Sequence, residues 1–126
     1  MKLVLVGAGG FVGAILRYVI SGWVQRLPFG ETFPTGTLVV NVTGCLAIGV
    51  LSELAEARGV LTPEIRALLV VGVLGAYTTF SAFANESLNL FRDREAGLAL
   101  LNVALSLGSC FIAVWAGRWA AHALWG

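Results

Sequence analysis

Hydrophobic and polar positions alternate here on the scale of whole helices, not of single turns. Four runs are almost continuously apolar: Leu3–Trp23, Leu38–Leu54, Ala67–Phe91 and Gly97–Trp125. The charged residues gather between them, in the loop Gln25–Pro34, in the stretch Glu53–Arg66 and in the turn Arg92-Asp93-Arg94-Glu95. A bilayer core is crossed by a helix of about 20 apolar residues. The pattern therefore predicts an all-α integral membrane protein, one domain over residues 1–126, with four transmembrane helices near 3–24, 36–56, 65–91 and 96–121. Thr62 followed by Pro63 gives the third helix a start, with Thr62 as cap and Pro63 at the first helical position.

The third run is unusual in its middle. Gly72-Val73-Leu74-Gly75-Ala76-Tyr77-Thr78-Thr79-Phe80-Ser81-Ala82-Phe83 places two glycines and three hydroxyls where mid-bilayer depth is expected. Lipid satisfies no freed backbone group, so an irregular centre must be buried in protein or face a watery cavity. A helix broken there would present carbonyls from one half and N–H groups from the other, the usual construction of an ion site. The alternative is a continuous helix packed through small residues, its Thr and Ser hydroxyls bonded back one turn. The sequence leaves both open.

Composition supports the membrane assignment and removes other classes. The chain is 58% hydrophobic and 12% charged, where a soluble domain is nearer a quarter charged. The first run is not a cleavable signal peptide, because it lacks a basic leader beyond Lys2 and more spans follow. A net charge of +1 provides no basic face for nucleic acid. Cys45 and Cys110 fall in separate runs and read as small packing residues; His122 stands alone. No Ser/His/Asp set, metal cluster or carboxylate pair within one span points to an enzyme. The glycine-rich start, Gly7, Gly10 and Gly13, imitates a dinucleotide turn, but the strand-helix alternation that motif needs is missing. On a helix, the pairs Gly9/Gly13 and Gly10/Ala14 instead allow close approach of a neighbour.

The polar residues inside the runs are the candidates for chemistry. Arg17 must snorkel, pair or face water. Thr37, Asn41 and Cys45 share a helix face, and a buried Asn41 amide acts either as interhelical glue or toward a cavity. Phe80 and Phe83 lie three residues apart, with Ser87 extending their face. Glu86 is the one acid well inside a run, and either serves a site or reaches interfacial water. Asn102, Ser106 and Cys110 recur every four residues in the last run.

Charge bias between the two sides is nearly absent. Lys2, Arg58, Arg66 and Arg118 fall on one side; Arg26, Arg92 and Arg94 fall on the other. The positive-inside rule then gives almost no orientation. A balanced chain is expected to insert both ways and to pair antiparallel with itself, in a two-fold dimer.

Three pieces in order, Gly10–Tyr18, Gly36–Gly44 and Gly75–Phe83, resemble the Fluc/CrcB fluoride channels over essentially the whole chain. The resemblance implies a fluoride-selective channel in the cytoplasmic (inner) membrane of a prokaryote, exporting fluoride and lowering its toxicity. It implies antiparallel, dual-topology homodimers with two fluoride pathways. It also implies a third helix broken mid-membrane and a structural sodium ion on the two-fold axis, held at the breaks by the backbone carbonyls of Gly75 and Thr78. On the same basis the fluoride pathway takes Asn41, Phe80, Phe83, Thr79, Ser81, Asn102, Ser106 and Arg17. This chain departs from the family at Ala76, often a second glycine, at Ala82, often a threonine, and at Cys110, where a hydroxyl is expected. The main rival is a small dual-topology, proton-coupled multidrug exporter. It needs a membrane-embedded carboxylate; the first span has none, and Glu86 is the one candidate.

Overall fold

The computed structural model describes residues 1–126 and is helical throughout, with no strand. Helix α1 (Lys2–Gln25) leads through a short 3-10 turn (Pro28–Gly30) to α2 (Thr35–Arg58). The third span begins with α3 (Pro63–Arg66), continues as a π-helix (Ala67–Leu74) and α4 (Gly75–Tyr77), and resumes as α5 (Phe80–Arg92). The last helix is α6 (Ala96–Trp125). Four helical stretches, Lys2–Gln25, Thr35–Arg58, Pro63–Arg92 and Ala96–Trp125, are long and apolar enough to cross a membrane. Thr62 caps α3 by accepting the Ile65 N–H at 3.2 Å. Gly59 ends α2 in the left-handed region at φ 60°, where a side chain would be strained.

Only 21 of 126 residues are buried, and large apolar side chains such as Phe11, Tyr18, Phe111 and Trp115 point outward. A water-soluble fold could not afford that surface, whereas lipid solvates it. Between helices in lipid the attraction comes from close packing, not from burial. Small residues supply it. At Gly9 a Cβ would collide with the Leu68 carbonyl, and at Gly13 with the Val73 carbonyl, so α1 lies directly on the π segment. Gly72 completes the contact, with the Gly9 Cα only 2.9 Å from where its Cβ would stand. The second pair expected from the sequence does not contribute, since Gly10 faces open space. Gly49 and Gly117 do the same work between α2 and α6, each abutting the other helix's backbone.

The third span changes partner part way along. Its first half packs on α1; its second half, α5, packs on α6. The residues where it crosses over are Thr78 and Thr79, and they position the site.

Candidate functional site

Helical geometry ends at Tyr77. Thr78 (φ −85°, ψ 156°) and Thr79 (φ −150°, ψ 123°) are extended, and α5 restarts at Phe80. Gly75 itself stays helical at φ −61°, ψ −36°, so the departure lies three residues beyond it. A helix end leaves its last carbonyls without partners, and a helix start its first N–H groups. Here most are accounted for. Thr78 donates both its N–H and its hydroxyl to the Leu74 carbonyl, each at 3.0 Å. Arg17 donates its Nε–H to the Ala76 carbonyl at 3.0 Å. Arg17 therefore does not snorkel; its guanidinium sits at a helix C-terminus, where positive charge is favoured. Thr79 accepts the Ala82 N–H at 3.2 Å and caps α5.

Thr79's own main chain is satisfied from another helix. Its N–H donates to Asn41 Oδ1 at 2.8 Å, and Asn41 Nδ2–H donates to its carbonyl at 2.9 Å. A carboxamide carries one donor and one acceptor at nearly backbone spacing, so Asn41 pairs with Thr79 as an adjacent strand would. Gly44, one turn on, leaves the room that the Thr78 side chain occupies; a Cβ there would collide with Thr78 Cγ2. Thr43 Oγ1 lies 2.9 Å from the Tyr77 hydroxyl and holds the other rim.

Beside this interruption is a cavity of about 330 Å³. Its walls include Asn41, Gly75, Thr78, Thr79, Phe80, Phe83 and Ser106, together with Gly44, Cys45 and Cys110. The two rings are tilted by 56° with centroids 5.4 Å apart. They differ in setting: Phe83 is buried, while Phe80 is 74% exposed and projects away from the fold. No main-chain hydrogen bond reaches the Gly75 carbonyl from beyond the interruption. The site thus joins a helix C-terminus, a helix N-terminus, two phenyl rings and an amide in one space.

Three of the expected residues stand elsewhere. Ser81 is exposed, its Oγ 3.3 Å from Thr79 Oγ1. Arg17 lies behind the interruption, against Ala76. Asn102 is buried inside the fold and does not reach the cavity. It donates to Ser87 Oγ at 2.8 Å and accepts from Ser106 Oγ at 3.2 Å, while Ser87 donates to the Phe83 carbonyl at 2.8 Å. Asn102 so links Ser106, on the cavity wall, to the backbone of Phe83. The sequence placed Ser87 beside the phenylalanines but gave no sign of this chain of bonds.

Other polar contacts lie outside the residues expected to line the pathway. Gln25 organises the first loop: its side chain accepts the Gly36 N–H at 2.9 Å and donates to the carbonyls of Phe33, at 3.0 Å, and Gly30. Glu86 Oε1 accepts the Thr37 hydroxyl at 2.7 Å, while its Oε2 is buried without a partner. Glu86 opens on a second, polar cleft of about 260 Å³ that Gln25, Glu31 and Asp93 share. At the opposite end, Arg118 meets Glu56 with two contacts of 2.9 Å and Glu53 at 3.6 Å, and His122 Nδ1 lies 3.1 Å from Glu53. This cluster ties the ends of α2 and α6. The two cysteines, expected as small packing residues, are both free and half-buried on the wall of the cavity.

A profile of the family described as CrcB-like protein, Camphor Resistance (CrcB), matches residues 4–118. Among curated relatives, the fluoride-specific ion channel FluC of Rhizobium etli is 44% identical over 117 residues, covering 93% of each chain. That of Shewanella halifaxensis is 46% identical over 117 residues, again covering 93% of each chain. That of Shewanella putrefaciens is 45% identical with the same coverage, 93% of each chain.

Proposed function

The chain belongs to the CrcB-like protein family, and from that premise we propose that it carries fluoride through the cavity beside Thr78 and Thr79. It is a multi-pass membrane channel for fluoride and not an enzyme. Its task in the cell is to let fluoride out across the cytoplasmic membrane of a bacterium and so to lower its toxicity.

One observation carries the reading: the N-terminus of α5, the Asn41 amide and the rings of Phe80 and Phe83 meet in one cavity at the interruption. Each is a weak anion partner. A helix N-terminus is partially positive, and a phenyl ring is positive at its edge. Weakness is the requirement, since a conducting site must release the ion it binds. Fluoride shedding its water here would pass the rings first and then Ser106, whose hydroxyl would turn its one proton from Asn102 Oδ1 to the ion. In this mechanism Asn41, Thr79 and Ser106 line the track. Asn102 positions Ser106, Ser81 stands at the exposed approach, and Arg17 holds the Ala76 end of the interruption. These roles rest on placement and chemistry.

The interruption is best understood as a mid-membrane break whose function requires a second copy. Phe80 projects away from its own fold, so its ring edge would complete a pathway against a partner subunit. The near-even distribution of basic residues favours an antiparallel partner and insertion in both orientations. On the two-fold axis of such a homodimer the carbonyls of Gly75 and Thr78 would meet their copies. Oxygen ligands from main chain suit a small monovalent cation such as sodium. The residues fit this: Gly75 is exposed on the cavity wall, and a Cβ there would meet nothing nearer than the Val70 carbonyl at 3.7 Å. When bound, the cation would offset the carbonyl dipoles and raise the local affinity for an anion.

The multidrug-exporter alternative finds little support, because Glu86 is engaged by Thr37 and lies outside the main cavity. Growth separates the two. In a bacterium stripped of its own fluoride export, this chain should restore growth on fluoride and leave sensitivity to organic cations unchanged. Protection against organic cations, lost on Glu86→Gln, would favour the exporter.

A further inference from the structure

Two thiols stand in the cavity wall, and the fluoride track proposed above does not call on them. Helices α2 and α6 run side by side in register. Gly49 abuts the backbone of Val114, and one turn later Glu53 pairs with Arg118. One turn earlier on each helix come Cys45 and Cys110. The glycine contact holds the helix axes close at this level, so the two side chains reach the same patch of cavity wall. Both are free thiols, half-buried on the wall of the same cavity. No histidine or carboxylate stands with them on that wall.

From this pairing we propose that Cys45 and Cys110 form a two-sulfur site for a soft, thiophilic d10 cation of the mercuric class. Two sulfurs with no third ligand exclude zinc, which takes four ligands. Soft ions bind thiolate readily and accept linear two-coordination. The charge balance also suits the place. Two S–H bonds break, two metal–sulfur bonds form, and two protons leave. No oxidation state changes, so no oxidant is needed. A divalent ion held by two thiolates is neutral, which avoids a net charge in a cavity walled mainly by apolar groups. The bound ion would stand across from Phe80, Phe83 and Asn41 and would obstruct the cavity. That effect on flux rests on the fluoride reading; the binding does not.

The test uses the purified full chain in detergent, titrated with mercuric chloride. Free thiols are counted, and the near-ultraviolet sulfur-to-metal absorption is followed. One ion per chain should remove both thiols. Cys45→Ser and Cys110→Ser should each bind through one sulfur, need about tenfold more metal for half-saturation, and release it to glutathione, since the second ligand no longer acts at high effective concentration. The double variant should show no absorption. Fluoride efflux from liposomes, each variant taken relative to its own untreated rate, should be blocked in the wild type at equimolar metal. Two ions per chain, or single variants that match the wild type, would overturn the proposal. If the variants do not elute as folded protein, the wild-type stoichiometry alone decides. If untreated protein passes no fluoride, the proposed function fails while the binding result still stands.

Discussion

Replacing Asn41 tests how the interruption is held. Asn41 forms the only two hydrogen bonds recorded to the Thr79 main chain, at 2.8 and 2.9 Å. Asn41→Ala removes both and leaves an N–H and a carbonyl beside the cavity. Hydrogen bonds between membrane helices average about 0.6 kcal/mol, and soluble ones about 1 kcal/mol each. An orphaned group adds a further penalty where water reaches it poorly. The sum is a loss of about 1–3 kcal/mol. Asn41→Asp separates the parts. Its carboxylate still accepts the Thr79 N–H, but it turns a second oxygen toward the Thr79 carbonyl where Asn41 had a donor. Stability should fall at least as far as for alanine, because two acceptors face each other and a charge enters a cavity walled mainly by apolar groups. Fluoride flux should fall at least as far, because a fixed anion now stands in the path. Equilibrium unfolding in mixed micelles gives the first quantity, and efflux from liposomes gives the second. If both variants unfold with wild-type stability, the Asn41–Thr79 pairing does not hold the extended residues, and the reasoning is refuted.

Further expectations follow from packing and charge. Phe83→Ile, at a buried ring, should cost on the order of 1 kcal/mol and Phe80→Ile, at an exposed one, much less, while fluoride flux falls strongly in both; near-normal efflux from both folded variants would mean that the rings only pack. Gly13→Ala should destabilise by about 1–3 kcal/mol because its Cβ meets the Val73 carbonyl, whereas Gly10→Ala, facing open space, should stay within about 0.5 kcal/mol, as measured by unfolding in micelles. A tag at the C-terminus should be found on both sides of the membrane in one cell population, and a single location would exclude dual topology.

The four helices were legible because lipid imposes a length and a polarity that no local propensity needs to refine. The small residues were half legible. Gly9 and Gly13 could be paired by spacing, but Gly10 and Ala14 have the same spacing and a Cβ on Gly10 would meet nothing. Period alone fixes which residues share a face, not which face meets a neighbour. Within the interrupted stretch Thr78 and Thr79 are extended while Gly75 is helical, so the departure falls on the hydroxyl residues and not on the glycine. The difference arises because Thr79 finds both main-chain partners on Asn41, 38 positions away, so the stability of the extended pair is a tertiary property. Position in the sequence leaves Arg17 to snorkel, pair or face water; its partner, the Ala76 carbonyl, is free only once the span has left helical geometry. Pairs such as Glu53 with His122, or Cys45 with Cys110, depend on the register of α2 against α6, which the backbone contact at Gly49 sets and no local motif announces.

The central claim is that this chain by itself conducts fluoride through the cavity at Thr78 and Thr79. The most direct measurement is fluoride efflux, read with a fluoride electrode, from liposomes that hold only the purified protein, with chloride efflux from matched liposomes as control. The account predicts rapid fluoride release, negligible chloride release, and loss of the fluoride signal in Phe80→Ile and Phe83→Ile. Equal release of the two anions, or no release from protein that elutes as a folded oligomer, would contradict it.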